Sequence, residues 1–188
     1  MKKVALLFIF MTVVIEAKVI KNYNPPKLPK SQIKKFLYLI NKARSKYQDC
    51  GVYGVKPPAK PLKWNWQLYK AAYEHSVDMA MNNFLEHYGS NTKYDLTGKI
   101  YGVSNQILRA KAHGYKNNDY IGENILYGNY HFSLKEVVDS FIEHDEHCPN
   151  MMNPRFKDVA VAYYKNPKTG LEYWTLILGT HYVKRYYK

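Results

Sequence analysis

The sequence predicts an α+β domain in which helices are layered against a small sheet. Amphipathic helical periodicity recurs four times between residues 31 and 142. Two strand-like runs follow at 159–164 and 173–178, separated by Asn166-Pro167-Lys168-Thr169-Gly170, which is turn chemistry. With 188 residues, the chain is long enough for one domain with a real hydrophobic core.

Each of the four predicted helices has its own boundary signals. The first begins at a Ser31 cap and ends before the first cysteine. The second, over about 66–83, is the most regular, because one face carries a continuous apolar stripe. A third is predicted over about 104–112, with Gly114 in the position of a terminating glycine. The fourth opens with the capping box Ser133-Leu134-Lys135-Glu136.

The other segments are predicted to be extended or irregular. Residues 18–30 are rich in Pro and Lys, which is typical of a linker, and 51–63 contain too much Gly and Pro for regular structure. Residues 84–103 show no clear period and are predicted to be irregular. Residues 121–126 are a candidate third strand.

Residues 1–17 have the pattern of a signal peptide. Two lysines precede an apolar run of twelve residues, 4–15, which is too short to span a bilayer that needs ~20 apolar residues. A buried N-terminal helix and an uncleaved anchor are the alternatives. We expect a secreted or periplasmic protein whose domain spans 31–180, followed by a basic and aromatic tail over 181–188.

Export gives the two cysteines a structural interpretation. In an oxidising compartment an even cysteine count favours a disulfide, and Cys50 and Cys148 are the only cysteines in the sequence. Two free thiols are the alternative. The formal net charge of +13 should attract anionic lipid or cell-wall components. No nucleic-acid motif is present, so no specific nucleic acid is expected, and a monomer is the default state.

The segment Glu143-His144-Asp145-Glu146-His147 places two histidines among carboxylates. His144 and His147 lie on one helix face if the fourth helix extends that far. Imidazole with carboxylate suits Zn²⁺, but the segment does not match the metalloprotease pattern His-Glu-x-x-His. A solvated acidic helix end is the alternative. A nucleophilic Cys148 is excluded if the disulfide forms.

Three further titratable residues stand out. Glu123 lies in an otherwise apolar stretch, where a carboxylate must be paired or solvated. It is either a turn residue that caps a helix or a carboxylate in a cavity. His87 has the position of a surface histidine just past a helix, and His75 is predicted to be a satisfied core histidine. The sequence has no P-loop, dinucleotide fingerprint or Gly-x-Ser-x-Gly elbow.

A series of short motifs in register carries a family resemblance. They are Ile40-Asn41-Lys42-Ala43-Arg44, Leu62-Lys63-Trp64-Asn65, His75-Ser76-Val77-Asp78-Met79-Ala80, Asn83-Phe84-Leu85-Glu86-His87, Gly114-Tyr115, Gly122-Glu123-Asn124-Ile125, His147-Cys148-Pro149-Asn150, Val159-Ala160-Val161-Ala162-Tyr163 and Tyr173-Trp174-Thr175. With this series the chain resembles the bacterial branch of the CAP superfamily (cysteine-rich secretory proteins, antigen 5 and pathogenesis-related proteins). The resemblance implies a three-layer α-β-α sandwich with a small central antiparallel sheet.

The resemblance also implies a cavity lined by two histidines and one or two glutamates. The matching positions are His87, Glu123 and His147, and His144 stands at the fourth position with Glu143 beside it. With a third histidine at that position, the set of residues resembles a zinc site more than the four residues usual in the family do. His87 and His147 are therefore the candidate zinc ligands.

Members of this family suggest three functions. The first is an exported binding module with a metal-capable cavity and no turnover, whose ligand is a lipid or an envelope component. The second is a basic structural protein of the cell envelope. The third is a metal-assisted hydrolase or protease, in which Glu123 is the general base on zinc-bound water. Similar cysteine placement in such relatives supports a bridge between Cys50 and Cys148.

Overall fold

Strands from the second half of the chain form the centre of the molecule, with helices on both sides. A computed structural model describes residues 18–116, 120–129 and 131–180. The helices are α1 (Lys30–Arg44), α2 (Trp66–Asn82), α3 (Leu96–Tyr101), α4 (Gln106–Ala112), α5 (Leu134–Glu143) and α6 (Cys148–Met152). The strands are β1 (Gln48–Asp49), β2 (Val55–Lys56), β3 (Lys63–Trp64), β4 (Ile121–Gly128), β5 (Asp158–Lys165) and β6 (Glu172–Gly179).

The main sheet has the strand order β3-β5-β6-β4. β6 pairs antiparallel with both β4 and β5 over eight residues, and the predicted third strand is β4. The two-residue β3 pairs parallel with β5, so the predicted antiparallel sheet carries one short parallel pair at this edge. The chain between β3 and β5 passes through most of the domain, and a parallel pair requires a long crossover of this kind.

Successive side chains of β5 point to opposite faces of the sheet. Val159 and Val161 pack against α1 and α5, whereas Ala160 and Ala162 pack against α2. Large side chains therefore fill one interface, and alanines allow α2 to lie close on the other. The predicted α+β class and three-layer sandwich are confirmed.

Three predicted helices have the expected positions. The side chain of Asn65 accepts hydrogen bonds from two backbone N–H groups in the first turn of α2. α4 starts two residues later than predicted, and Gly114 follows it with φ +83°. At α5 the predicted capping box is present, because Ser133 and Glu136 each accept from the backbone N–H of the other.

Two predictions about helices are wrong. α1 begins directly after Pro29 and has no side-chain cap, so Ser31 is not its cap. The proline ring already holds φ near a helical value, and the helix starts two residues earlier than a Ser31 cap would place it. α3 lies within 84–103, which showed no period; its six residues are too few to show one, and Asp95 caps it by accepting from the N–H of Gly98.

A short hairpin after α1 is linked covalently to α6. β1 and β2 pair antiparallel around a 3-10 turn at Gly51–Tyr53, so the segment 51–63 is not entirely loop as predicted. Cys50 and Cys148 form the predicted disulfide, with their Cα atoms 5.4 Å apart. A bridge that closes a loop of this length stabilises a fold by about 4 kcal/mol in the chain-entropy description.

Residues 18–29 lie along the domain surface without regular structure. The N–H of Ile20 donates to the carbonyl of Ala112, at 2.7 Å, and the Tyr69 hydroxyl donates to the carbonyl of Pro26, at 2.5 Å. The segment 18–30, predicted to be a linker, is thus packed on the domain, and its last residue belongs to α1.

The predicted signal peptide at 1–17 and the tail at 181–188 lie outside the described residues. Among the helices of the described ranges, none has the length and apolarity required to cross a membrane.

Candidate functional site

Glu123, in the middle of the sheet edge strand β4, is buried and surrounded by hydrogen-bond donors. Nη2 of Arg109 donates to both carboxylate oxygens, at 3.0 and 2.8 Å. Nδ1 of His87 lies 3.0 Å from Oε1, and Nε2 of His75 lies 3.8 Å from the same oxygen. Glu123 is therefore a paired carboxylate within a strand, not a turn residue that caps a helix.

Arg109 reaches Glu123 from α4 and is itself fully buried. Its guanidinium also donates to the Ser104 hydroxyl, at 3.0 Å, and to the carbonyl of His87, at 2.9 Å. It thereby fixes the loop that carries His87 as well as the carboxylate. Arg109 was not predicted from the sequence, because one arginine in a short helix looks like a surface residue. Glu123 itself indicates that such a residue exists, since a buried carboxylate requires a cationic partner.

Glu123 stays ionised despite its burial. Burial raises its pKa, but the charge of Arg109, the nearby His75 and the hydrogen bonds from His87 and Arg109 outweigh that effect and lower the pKa to about 2. A carboxylate with so low a pKa is a weak general base at neutral pH.

His87 connects the buried carboxylate to solvent. Its side chain is 50% exposed, and its Nδ1–H donates to Glu123. This hydrogen bond raises the pKa of His87 above its ordinary value, although burial opposes the shift. In the neutral imidazole the other nitrogen, Nε2, keeps a free lone pair. A carboxylate commonly orients a metal-binding histidine in this way.

His75 is a core histidine, as predicted, and it also borders the site. Its side chain is fully buried, and Nε2–H donates to the carbonyl of Glu86 at 2.9 Å. Burial, followed by the charge of Arg109, lowers its pKa to about 3, so the ring is neutral. Its Nδ1 has no hydrogen-bond partner among the described residues.

His144 and His147 do not lie on one helix, which corrects the expectation from their spacing. α5 ends at Glu143, His144 is its C-cap, and His147 is the N-cap of α6. The two imidazole centroids are nevertheless only 4.6 Å apart, and His147 contacts Phe141 edge-on at 5.2 Å. Glu143 and His144 are exposed at the outer edge of this turn.

His147 is held in its neutral form beside His87. Burial, followed by the charges of His144 and His87, lowers the pKa of His147 to about 4. The carbonyl of His147 accepts from the Asn124 side chain at 3.1 Å, next to Glu123 in β4. His87 thus contacts Glu123 directly, the backbone of His147 is bonded to the residue after Glu123, and the ring of His144 lies next to that of His147.

The donors that a metal ion could use here are two imidazoles. Across the described part of the chain, no group of three or more His, Cys, Asp and Glu side chains could hold a metal ion. Glu123 is already engaged by Arg109 and His87. If Nε2 of His87 and the ring of His147 both bound Zn²⁺, water or a ligand would occupy its remaining positions.

Four clefts of about 260 to 340 Å³ lie elsewhere on the described surface. Three of them flank the extended segment 24–28 or the start of α5, and the fourth lies between α1 and α5. None of the four is lined by His87, Glu123 or His147. The histidine site is therefore separate from these clefts.

The sequence matches one family and one curated relative. The model of the cysteine-rich secretory protein family, CAP, matches residues 37–178. The uncharacterized protein YkwD of Bacillus subtilis (strain 168) is 28% identical over 111 residues, which are 59% of this chain and 38% of that protein. The matched region thus spans less than half the length of that relative.

Two solved structures share the fold. An outer surface protein from Borrelia burgdorferi superposes with a TM-score of 0.58 at 15% identity, covering 84% of this chain and 98% of that one. An extracellular protein from Bacillus anthracis that contains an SCP domain has a TM-score of 0.57 at 18% identity, covering 84% of this chain and 45% of that one. Since the family match covers most of the sequence, this chain belongs to the CAP family of cysteine-rich secretory proteins.

Proposed function

We propose that this chain is an exported binding protein. In it His87 and His147 hold Zn²⁺, the bound Zn²⁺ contacts the ligand, and no substrate is turned over. One observation carries the proposal. The buried Arg109–Glu123 pair fixes Nδ1 of His87 and leaves Nε2 free beside the neutral His147. Zinc held by two imidazoles would keep open positions for an oxygen ligand, such as a lipid headgroup or an envelope component.

Export is supported by the disulfide and by the relatives. A Cys50–Cys148 bridge is typical of an oxidising compartment. One structural relative is described as an outer surface protein and the other as an extracellular protein. The short apolar run at 4–15 fits the same interpretation.

Binding is favoured over hydrolysis by the state of Glu123. A hydrolase that used it as a base would need it to accept a proton near neutral pH. Here the charge of Arg109 overcomes the effect of burial and lowers the pKa to about 2. The carboxylate serves instead to orient His87.

Calorimetric titration of Zn²⁺ into the purified chain tests the proposal. We expect one site at neutral pH, and uptake that falls as the pH drops, because the raised pKa of His87 makes it the first ligand to be protonated. His87→Ala and His147→Ala should each abolish uptake. His131→Ala is the matched control, since His131 is 68% exposed and pairs with Glu172 instead.

The zinc titrations and an activity assay distinguish binding from hydrolysis. No uptake by the wild type, or unchanged uptake in both site variants, contradicts the proposal. Glu123→Gln should weaken zinc binding by roughly 10- to 100-fold, because it removes the carboxylate that orients His87. Zinc-dependent hydrolysis that Glu123→Gln abolishes while zinc stays bound would establish the hydrolase instead.

A further inference from the structure

The positive charge of the chain is concentrated in one stretch of sequence. Residues 18–73 contain thirteen Lys and Arg residues and one acidic residue, Asp49, whereas 74–188 contain thirteen of each kind. The basic stretch comprises the extended segment 18–29, α1, the β1–β2 hairpin, β3 and the first half of α2. The net charge of the chain is therefore carried by this part of the sequence, in which Arg44 is buried.

The outer side of α1 displays much of this charge. Lys30, Lys34, Tyr38 and Lys42 follow one another at four-residue intervals and are exposed, while Phe36 packs into the core. α1 contains no acidic residue. The helix thus presents a cationic stripe with one aromatic ring in it, and the Lys42 ammonium lies 5.8 Å from the centre of that ring.

The hairpin that follows α1 exposes apolar side chains. Val52 and Val55 are 87% and 63% exposed, and Tyr47 is 71% exposed. The disulfide at Cys50 links the hairpin covalently to α6, so the position of these side chains is constrained by the domain. Exposed apolar groups rimmed by charge are typical of a surface that meets a protein or a membrane.

A cleft of about 310 Å³ between α1 and α5 joins the two features. Apolar side chains from both helices line it, together with Lys42, Lys46 and Gln48 of the hairpin. Lys135 also lines it but is paired with Asp139. The cleft therefore combines an apolar lining with two lysines that form no ion pair within the described ranges.

We propose that this face, made of the α1 stripe, the β1–β2 hairpin and the cleft between α1 and α5, docks on the surface of an anionic lipid bilayer. The lysines would contact headgroups, and Val52 and Val55 would enter the interface with the tyrosine rings at headgroup level. A soluble polyanion would use the lysines but leave both valines in water. The acidic turn over 143–146 bounds the face, since the N–H of Val52 donates to Asp145 at 3.4 Å.

Co-sedimentation with vesicles tests the charge of this face. We expect the chain to bind phosphatidylglycerol-containing vesicles at low salt, and to bind less as salt rises. Lys34→Glu, Lys42→Glu and Lys46→Glu together should weaken binding roughly a hundredfold. Lys93→Glu, Lys99→Glu and Lys168→Glu together are the matched control, because they change the net charge equally on exposed lysines outside this face.

A second pair of changes tests the apolar contact. Val52→Ser with Val55→Ser should weaken vesicle binding about tenfold. A metal chelator should not affect vesicle binding through this face, which separates this proposal from the zinc site. Circular dichroism and thermal melts confirm folding of every variant. Equal losses in the two lysine triples overturn the proposal. Salt-insensitive binding to neutral phosphatidylcholine vesicles also overturns it. A third contrary outcome is an affinity for polyphosphate equal to that for the vesicles, combined with unchanged vesicle binding by the valine variant.

Discussion

Glu123 and Arg109 are buried together, and each compensates the charge of the other. Their side chains are both 1% exposed and 2.8 Å apart, so removing one leaves an uncompensated charge in the interior. We expect Arg109→Met to lower the free energy of unfolding by about 3–5 kcal/mol. Urea denaturation at neutral pH measures this loss.

Two controls separate this pair from ordinary surface charge. Arg109→Met combined with Glu123→Gln removes both charges and should recover a large part of the lost stability. Arg155→Met removes an exposed guanidinium that lies 3.8 Å from the Tyr120 ring centre, and should cost less than about 1 kcal/mol. Similar losses in the two single arginine variants would contradict the structural role of Arg109.

His75 should make the domain sensitive to mild acid. Burial, then the charge of Arg109, lowers its pKa in the folded state to about 3, so below its ordinary value only the unfolded chain binds the proton. The contribution of His75 to the free energy of unfolding is complete above about pH 6.5. It declines as the pH falls, by about 2 kcal/mol at pH 5. His75→Gln keeps a donor for the Glu86 carbonyl, and its unfolding free energy should fall less between pH 7 and pH 5. The same decline in both proteins would refute this prediction.

The site could be predicted only where a residue lies in a recognisable motif. His87, Glu123 and His147 are each embedded in such a motif, and of these side chains His87 and Glu123 are in direct contact. Arg109 lies in no motif, and its role depends on how α4 meets β4, which local sequence does not encode. The turn between His144 and His147 was missed because no glycine or proline lies between them; the available signal was Pro149, in the first turn of α6, where proline favours the start of a new helix.

Two serines near the starts of helices provide a matched test of capping. The Ser133 hydroxyl accepts from the N–H of Glu136 in α5, whereas Ser31 makes no cap hydrogen bond at α1. We expect Ser133→Ala to lower the free energy of unfolding by about 1 kcal/mol, and Ser31→Ala to leave it nearly unchanged. Chemical denaturation of the two variants compares them directly, and equal effects would show that the α5 cap contributes nothing specific.

Element length decided what the sequence could reveal about the fold. α2, β5 and β6 are long enough to show a period, and α5 combines a period with a capping box. α3 has six residues and β1, β2 and β3 have two each, so their existence depends on partners distant in the chain. Lys63 and Trp64, for example, form a strand because Asp158 and Val159 lie alongside them.

Both helix layers pack on the same sheet, and this predicts one cooperative unfolding transition. Val161 and Ala162 are neighbours in β5 and belong to the two different core clusters, so neither layer can separate without disrupting the strand. Tryptophan fluorescence, which reports Trp64, Trp66 and the buried Trp174, and far-ultraviolet circular dichroism should give the same denaturation midpoint. Distinct midpoints for the two signals would show that one layer melts alone.

The strand order β3-β5-β6-β4 also determines when the domain can fold during its synthesis. The edge strands β3 and β4 leave the ribosome first, and the central pair β5 and β6 comes last, ending at Gly179. Until then the apolar faces of α1, α2 and α5 have no sheet to cover them. The nascent domain therefore carries two uncovered hydrophobic surfaces until β6 has been synthesised, and a holding chaperone would act on it until then.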